Sequence, residues 1–380
     1  MPARSGALLL GLLAWCVPAG RAELAQSGHW ALTADAAATL AYDSNLFARA
    51  GGGGDGYALL TPELSLQRLN ATTGFHADLS VQSFSFFTRS GLDSLDPTLA
   101  LALRYPVTET EDPTQLIDML VDRSTEVNAD VGGRLRRQDL DTRWSGTFAT
   151  AAKTAVEGRV ELRQTDYLTA GYNNNEFALA GGTVAWRPDE RLELGAAYDF
   201  EFGRSLPRDP AATTPSFAQH LLGLRGRGDF LPKVSGSFSV GLARTAFHGT
   251  APQTDDDLEG DLSLVWQATA RGSLTLAASR RPSFSPDGFA YLPTSVGPQW
   301  TQEFAGGYSA TLGAEVRRTE YRSDAGNRVD RSRGAFVELH YALTDRCTAA
   351  VTAHYTRQQS PDPQINFERA IFTSSVACKF

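Results

Sequence analysis

Two kinds of side chain in this 380-residue sequence have the type and spacing to do chemistry: a pair of cysteines and a set of charges recurring at every second position. Cys347 lies fifteen residues before Asp362, and Cys378 lies fifteen after Pro363, in a segment whose turn is marked by Pro361-Asp362-Pro363. A symmetric hairpin folded there sets the two cysteines opposite each other, where strand β-carbons come within disulfide reach. Cys347 shares strand parity with Val351, and Cys378 with Val376. The expectation is a Cys347–Cys378 bridge on the apolar face, formed in an oxidising compartment and locking the hairpin. Glu338 and His340 share a face, and Ser239, Ser263 and Ser279 fall on polar faces, but no nucleophile motif surrounds any of these serines. The six histidines are scattered and show no metal-ligand spacing. No catalytic residue, cofactor or metal is expected.

The charges take their meaning from the elements that carry them. Leu192, Leu194, Ala196, Tyr198, Phe200 and Phe202 alternate with Glu193, Gly195, Ala197, Asp199 and Glu201. Val234 to Leu242, Leu262 to Trp266, Ala335 to Leu343 and Ala349 to Tyr355 alternate in the same way. Side chains change face at each strand residue, so each segment has one apolar and one polar side. The polar side is rich in Ser, Thr, Gly and Ala, with isolated charges of both signs, which suits a crowded wet interior better than the Lys/Glu-rich face of a soluble sandwich. Strands of a transmembrane barrel carry this pattern at about 10 residues per crossing. The inward-facing candidates are Glu161, Arg163, Glu193, Asp199, Glu201, Asp261, Arg281, Glu315, Arg317, Glu338 and His340.

Short turns at 187–190, 231–233, 268–272 and 343–346 alternate with longer polar or Gly-rich loops at 51–56, 168–175, 205–216, 249–256, 285–298 and 324–331. Short turns on one side and long loops on the other are the periplasmic and extracellular asymmetry of outer-membrane barrels. Trp186, Trp266 and Tyr341 each precede a short turn, where interface aromatics settle. The fold class is therefore all-β: a transmembrane antiparallel up-and-down barrel of about eighteen strands, with sixteen as the alternative count. The expected strand starts lie near Thr33, Tyr57, Thr73, Asp96, Ser124, Asp141, Glu157, Asn174, Arg191, Ser216, Lys233, Asp255, Gly272, Gly297, Leu312, Arg331, Arg346 and Gln364. Residues 108–123 read as a long connection, a helix or a plug. Either strand count implies an aqueous interior.

Arg4, the apolar run from Ala7 to Val17 and Gly20-Arg21-Ala22 have the layout of a secretory signal covering residues 1–22, followed by one barrel domain over 23–380. Trp15 is the wrong neighbour for Cys16 in a lipid-attachment site. Loss of Arg4 and Arg21 would move the formal net charge from −8 to −10, a poor balance for binding nucleic acid. No stretch reaches the 18 or so apolar residues of a transmembrane helix.

Tyr42-Asp43-Ser44-Asn45-Leu46-Phe47 resembles the Tyr-Asp-x-Asn-hydrophobic-Phe signature in the first strand of a family of bacterial outer-membrane β-barrel porins linked to exopolysaccharide or capsule export. The terminal Phe380, on an alternating last strand, resembles the tag read by the barrel-assembly machinery. The resemblance implies an outer-membrane location, a lipid environment, and a pore for a polysaccharide chain partnered with periplasmic export proteins. It transfers no catalytic residue. From the residues alone, Asp43 and Asn45 read as local turn formers, and Tyr42 and Phe47 as interface aromatics. A general small-solute porin is the alternative function and requires a long inward-folded constriction loop, for which 205–216 and 285–298 are the candidates. An outer-membrane enzyme built on Glu338, His340 and an inward serine is the third reading. The mixed signs of the inward charges argue against strong ion selectivity.

Overall fold

Strict alternation over more than ten residues favours long strands whose two faces meet different solvents, and that is the building block observed. The structure, a computed structural model, describes residues 24–69, 73–105, 115–208, 214–249, 252–322 and 328–380. The expected secretory signal at 1–22 lies outside the described residues. The wall strands are β1 (Trp30–Asp43), β2 (Asp55–Leu69), β3 (Gly74–Phe86), β4 (Ser94–Tyr105), β5 (Gln115–Asn128), β6 (Gly133–Ala151), β7 (Thr154–Tyr167), β8 (Asn174–Trp186), β9 (Leu192–Leu206), β10 (Ser216–Leu231), β11 (Val234–His248), β12 (Gln253–Thr269), β13 (Gly272–Arg280), β14 (Ala290–Glu303), β15 (Tyr308–Arg322), β16 (Val329–Ala342), β17 (Cys347–Gln359) and β18 (Phe367–Lys379). Each pairs antiparallel with the next, and β18 pairs with β1 from Asp35↔Lys379 to Asp43↔Ile371, which closes an 18-strand barrel. Closure leaves no unpaired edge, a requirement for strands in lipid. At Gly236 and Gly260, with φ of +150° and +156°, a β-carbon would lie 2.0 and 1.9 Å from the Ser263 and Ser239 carbonyl oxygens. The close approach of β11 to β12 therefore depends on glycine.

The outward parity forms the apolar belt. Leu222, Leu242, Leu258 and Val316 are 68%, 72%, 60% and 64% exposed, a degree of apolar exposure that lipid covers. Trp30, Tyr105, Trp186, Trp266, Tyr308 and Tyr341 are exposed near the short-turn end, forming the periplasmic girdle. Cys347 and Cys378 are directly opposed at that end and joined as a disulfide.

Three strand starts differ from the sequence reading by seven residues or more. β5 begins at Gln115 rather than Ser124, and β6 at Gly133 rather than Asp141. Residues 115–123 are thus wall, neither connection nor plug, and 106–114 lie outside the described residues. The apolar triplet Met119-Leu120-Val121 interrupts alternation and hides the strand. β14 begins at Ala290 rather than Gly297, so the loop before it is 281–289. Pro293 and Pro298 sit within this strand, opposite Thr319 and Leu276, although proline usually signals a strand's end.

Candidate functional site

The inner face of β6 to β10 is a lattice of ion pairs. On β7, Glu157, Arg159, Glu161 and Arg163 face inward; β9 contributes Glu193, Asp199 and Glu201, and β10 contributes Arg225 and Arg227. Asp199 accepts from Arg159 at 3.0 Å and from Arg225, while Arg163 meets Glu201 at 3.0 Å. Arg143 meets Glu161 at 2.6 Å, and Arg227 bridges Glu157 at 2.6 Å and Glu193 at 2.9 Å. Arg159 and Asp199 lie on strands separated by β8, with Gly181 between them in register. A β-carbon at Gly181 would stand 1.9 Å from Asp199 Oδ1, so the missing side chain is what lets the charges meet. Asp199 and Glu201 are 3% and 5% exposed. Beside them Gln219 donates to Glu259 and to the Thr245 hydroxyl. On this side the wall is lined by paired side chains, with a cavity of about 400 Å³ beside them.

The extracellular end is crossed from wall to wall. The turn at 129–132, between β5 and β6, reaches strands six to nine positions away around the closed ring. Tyr321 on β15 donates to Asp130 at 2.5 Å, Arg328 to the Asp130 carbonyl at 3.5 Å, and Gln358 on β17 to the Ala129 carbonyl at 3.3 Å. Burial raises the Asp130 carboxyl above its ordinary pKa, with the Tyr321 hydroxyl and the Arg317 and Arg328 guanidiniums pulling the other way. A second inward fold is the 281–289 loop. Asn173 donates its backbone N–H to the Pro286 carbonyl at 2.8 Å, and Phe284 stacks on Phe217 of β10 at 5.4 Å. The small-solute reading requires a loop of this kind. The other candidate, 205–216, lies partly outside the described residues, since β9 runs to Leu206 and 209–213 are not described.

The inward candidates that lie in strands share the lumenal parity, but they do not form one site. Glu161, Arg163, Glu193, Asp199 and Glu201 belong to the lattice. Asp261 is bonded to Arg281, which sits past the end of β13 at the start of the 281–289 loop. Glu315 and Arg317 line a separate cavity of about 230 Å³ under the 129–132 turn, with Thr319, Ser332, Thr356 and Arg369. Glu338 lies 3.6 Å from His340 and 3.8 Å from His354. The Ser279 hydroxyl bonds Ser295 rather than an imidazole, and Ser309 of β15 stands directly opposite His340 in register without a hydrogen bond between them among the described residues. A cavity of about 400 Å³ beside the lattice is lined by Arg143, Glu161, Glu193, Arg227, Ser237 and others. Sequence reasoning missed Arg159, Arg225 and Arg227, whose parity on β7 and β10 was readable. It also missed Asp130 and Tyr321, for which no local signal exists.

Tyr42 to Phe47 close the seam between first and last strands. Arg369 of β18 grips Asp43 at 2.6 to 3.1 Å, Asp43 caps the Asn45 N–H at 2.9 Å, and the Asn45 amide donates to the Arg49 and Glu368 carbonyls. Leu46 is fully buried, and Phe47 packs under Arg49 and Arg89. Tyr42 is half-exposed on the outward face.

The barrel has solved counterparts. It superposes on OccK2 (OpdF) of Pseudomonas aeruginosa, solved in complex with glucuronate, at a TM-score of 0.51 and 14% identity, covering 92% of this chain and 98% of that one. OccK5 (OpdH) of the same organism aligns at a TM-score of 0.50 and 11% identity, covering 91% and 98%. No protein-family model and no curated protein matches the sequence. The likeness is one of fold: an 18-strand barrel of the bacterial outer membrane.

Proposed function

We propose that the protein is an outer-membrane pore for small hydrophilic solutes. The observation that carries this reading is the crossed extracellular end. The turn at 129–132 covers a cavity of about 230 Å³, and a second of about 400 Å³ lies along the side-chain lattice, room for a small polar molecule and not for a growing glycan. A barrel of this fold accommodates a solute of that size, since OccK2 was solved with glucuronate. The export reading suggested by Tyr42 to Phe47 has less behind it, because Asp43 and Asn45 are engaged in closing the seam. The hydrolytic reading has less behind it, because Ser309 stands opposite His340 but no hydrogen bond joins them among the described residues.

The test is liposome swelling with the purified barrel. Uptake that is fast for monosaccharides and falls steeply by tetrasaccharides is expected, together with unchanged surface glycan when the gene is deleted. Loss of surface glycan, with no small-solute uptake by the folded barrel, would sink this reading in favour of export.

A further inference from the structure

On the outer face, where the barrel meets lipid, four arginines gather at the extracellular ends of three adjacent strands. Arg318 of β15, Arg331 and Arg333 of β16, and Arg357 of β17 share the outward parity of Val316, Leu339 and Val351. Register places Arg318 directly opposite Arg331, and Arg333 directly opposite Arg357. Like charges facing each other across a strand pair destabilise it, so the arrangement calls for a counter-anion. The protein supplies part of one: Glu320 lies 3.2 Å from Arg318, and the exposed Glu368 lies 3.5 Å from Arg357. Arg331 and Arg333 have no acidic or hydrogen-bonding partner among the described residues. Two other outward arginines are matched: Arg204 holds Glu176 at 2.6 Å, and Arg244 stands opposite Asp256.

The height of the cluster names the neighbour. Arg333 is eight residues along β16 from the girdle residue Tyr341, about 27 Å of strand at roughly 3.4 Å per residue. With a tilt of about 40° that is roughly 20 Å of height, and Arg331 stands higher still, so the cluster sits at the upper margin of an apolar band about 25 Å tall. Just below it, Ala314, Ala335, Tyr355 and Ala370 stand side by side in one outward row, an apolar stretch beneath the guanidiniums. Guanidinium forks match phosphate oxygens in geometry as well as charge.

We infer that Arg318, Arg331, Arg333 and Arg357 form a binding site for the phosphates of the outer-leaflet glycolipid, lipopolysaccharide, with its acyl chains lying on the wall below. The probe is bisphosphorylated lipid A in detergent micelles, with binding followed by native mass spectrometry of the folded barrel. Wild type should bind it, and the Arg331→Gln/Arg333→Gln variant about 30-fold more weakly, at the usual contribution of an arginine near an anionic surface. Arg204→Gln, on the same face but outside the cluster, should bind as wild type does. The wild-type barrel alone gives a second readout, because lipid A stripped of its phosphates should bind as weakly as the double variant. Equal affinity for phosphorylated and stripped lipid A would overturn the proposal. So would displacement of lipid A by inorganic phosphate at equal concentration, or equally tight binding of phosphatidylglycerol.

Discussion

Along β7 and β9, the lumenal carboxylates Glu157, Glu161, Glu193, Asp199 and Glu201 each touch an arginine. Along β2 to β5 the lumenal carboxylates find other company. Asp78 is bonded by Ser65 at 2.5 Å and His76 at 2.7 Å, Asp122 by Thr98 at 2.5 Å, and Glu63 by Ser65 at 3.5 Å. Asp118 has no partner among the described residues. The same residue types therefore do two jobs. Where guanidiniums converge, carboxylates become cross-links along the inner wall and their charges cancel locally. Where the bonded neighbours are hydroxyls and a histidine, or where Arg143 opposite Asp118 is taken by Glu161, the negative charge stays available to whatever passes. The lumen's mixed composition conceals this division, because selectivity depends on which charges remain unpaired.

The largest expected effect lies in the first region. Asp199→Ala leaves Arg159 and Arg225 facing each other without their shared anion, and should cost about 3 kcal/mol, as breaking a buried pair does. Urea unfolding of the refolded barrel measures it; a loss under about 1 kcal/mol would erase the contrast between the two arcs. In the second region, Asp118→Asn should leave stability within about 0.5 kcal/mol of wild type while shifting the reversal potential in a salt gradient away from cation preference. An unchanged reversal potential would mean that the β2–β5 arc does not face the permeation path.

The smallest effect concerns the crossing turn between the two sides. Because burial raises the pKa of Asp130, the seated turn binds its proton more tightly than a turn released into water. Its stability is thus greatest at low pH and is lost as pH rises through the raised value. Single-channel conductance should therefore fall on acidification, and Asp130→Asn should flatten that dependence. An Asp130→Asn channel with the wild-type pH profile would assign the effect to another group.

The sequence was most legible where the backbone itself imposes the rule. Alternation in β9, β11 and β16 assigned Glu193, Asp199, Glu201, Glu338 and His340 to the inner face, because successive side chains must point opposite ways. It was least legible where that rule is locally broken. Met119-Leu120-Val121 obscured β5, and Pro293 and Pro298 made β14 read as loop. The partners of the inward charges were not legible at all. Arg159 reaches Asp199 only because Gly181 occupies the matching position on the strand between them, a coincidence of register across three strands.

The sequence alone determined the barrel class, the inward or outward aim of the alternating residues, and the opposition of Cys347 and Cys378. Each follows from a two-residue side-chain period or from counting along one hairpin, and these are local quantities. Only the tertiary structure decided which charges meet, that the 129–132 turn reaches Tyr321 and Gln358, and that four outward arginines converge on β15 to β17. Those contacts join strands far apart in the chain, and they depend on register and barrel closure, which no single segment encodes.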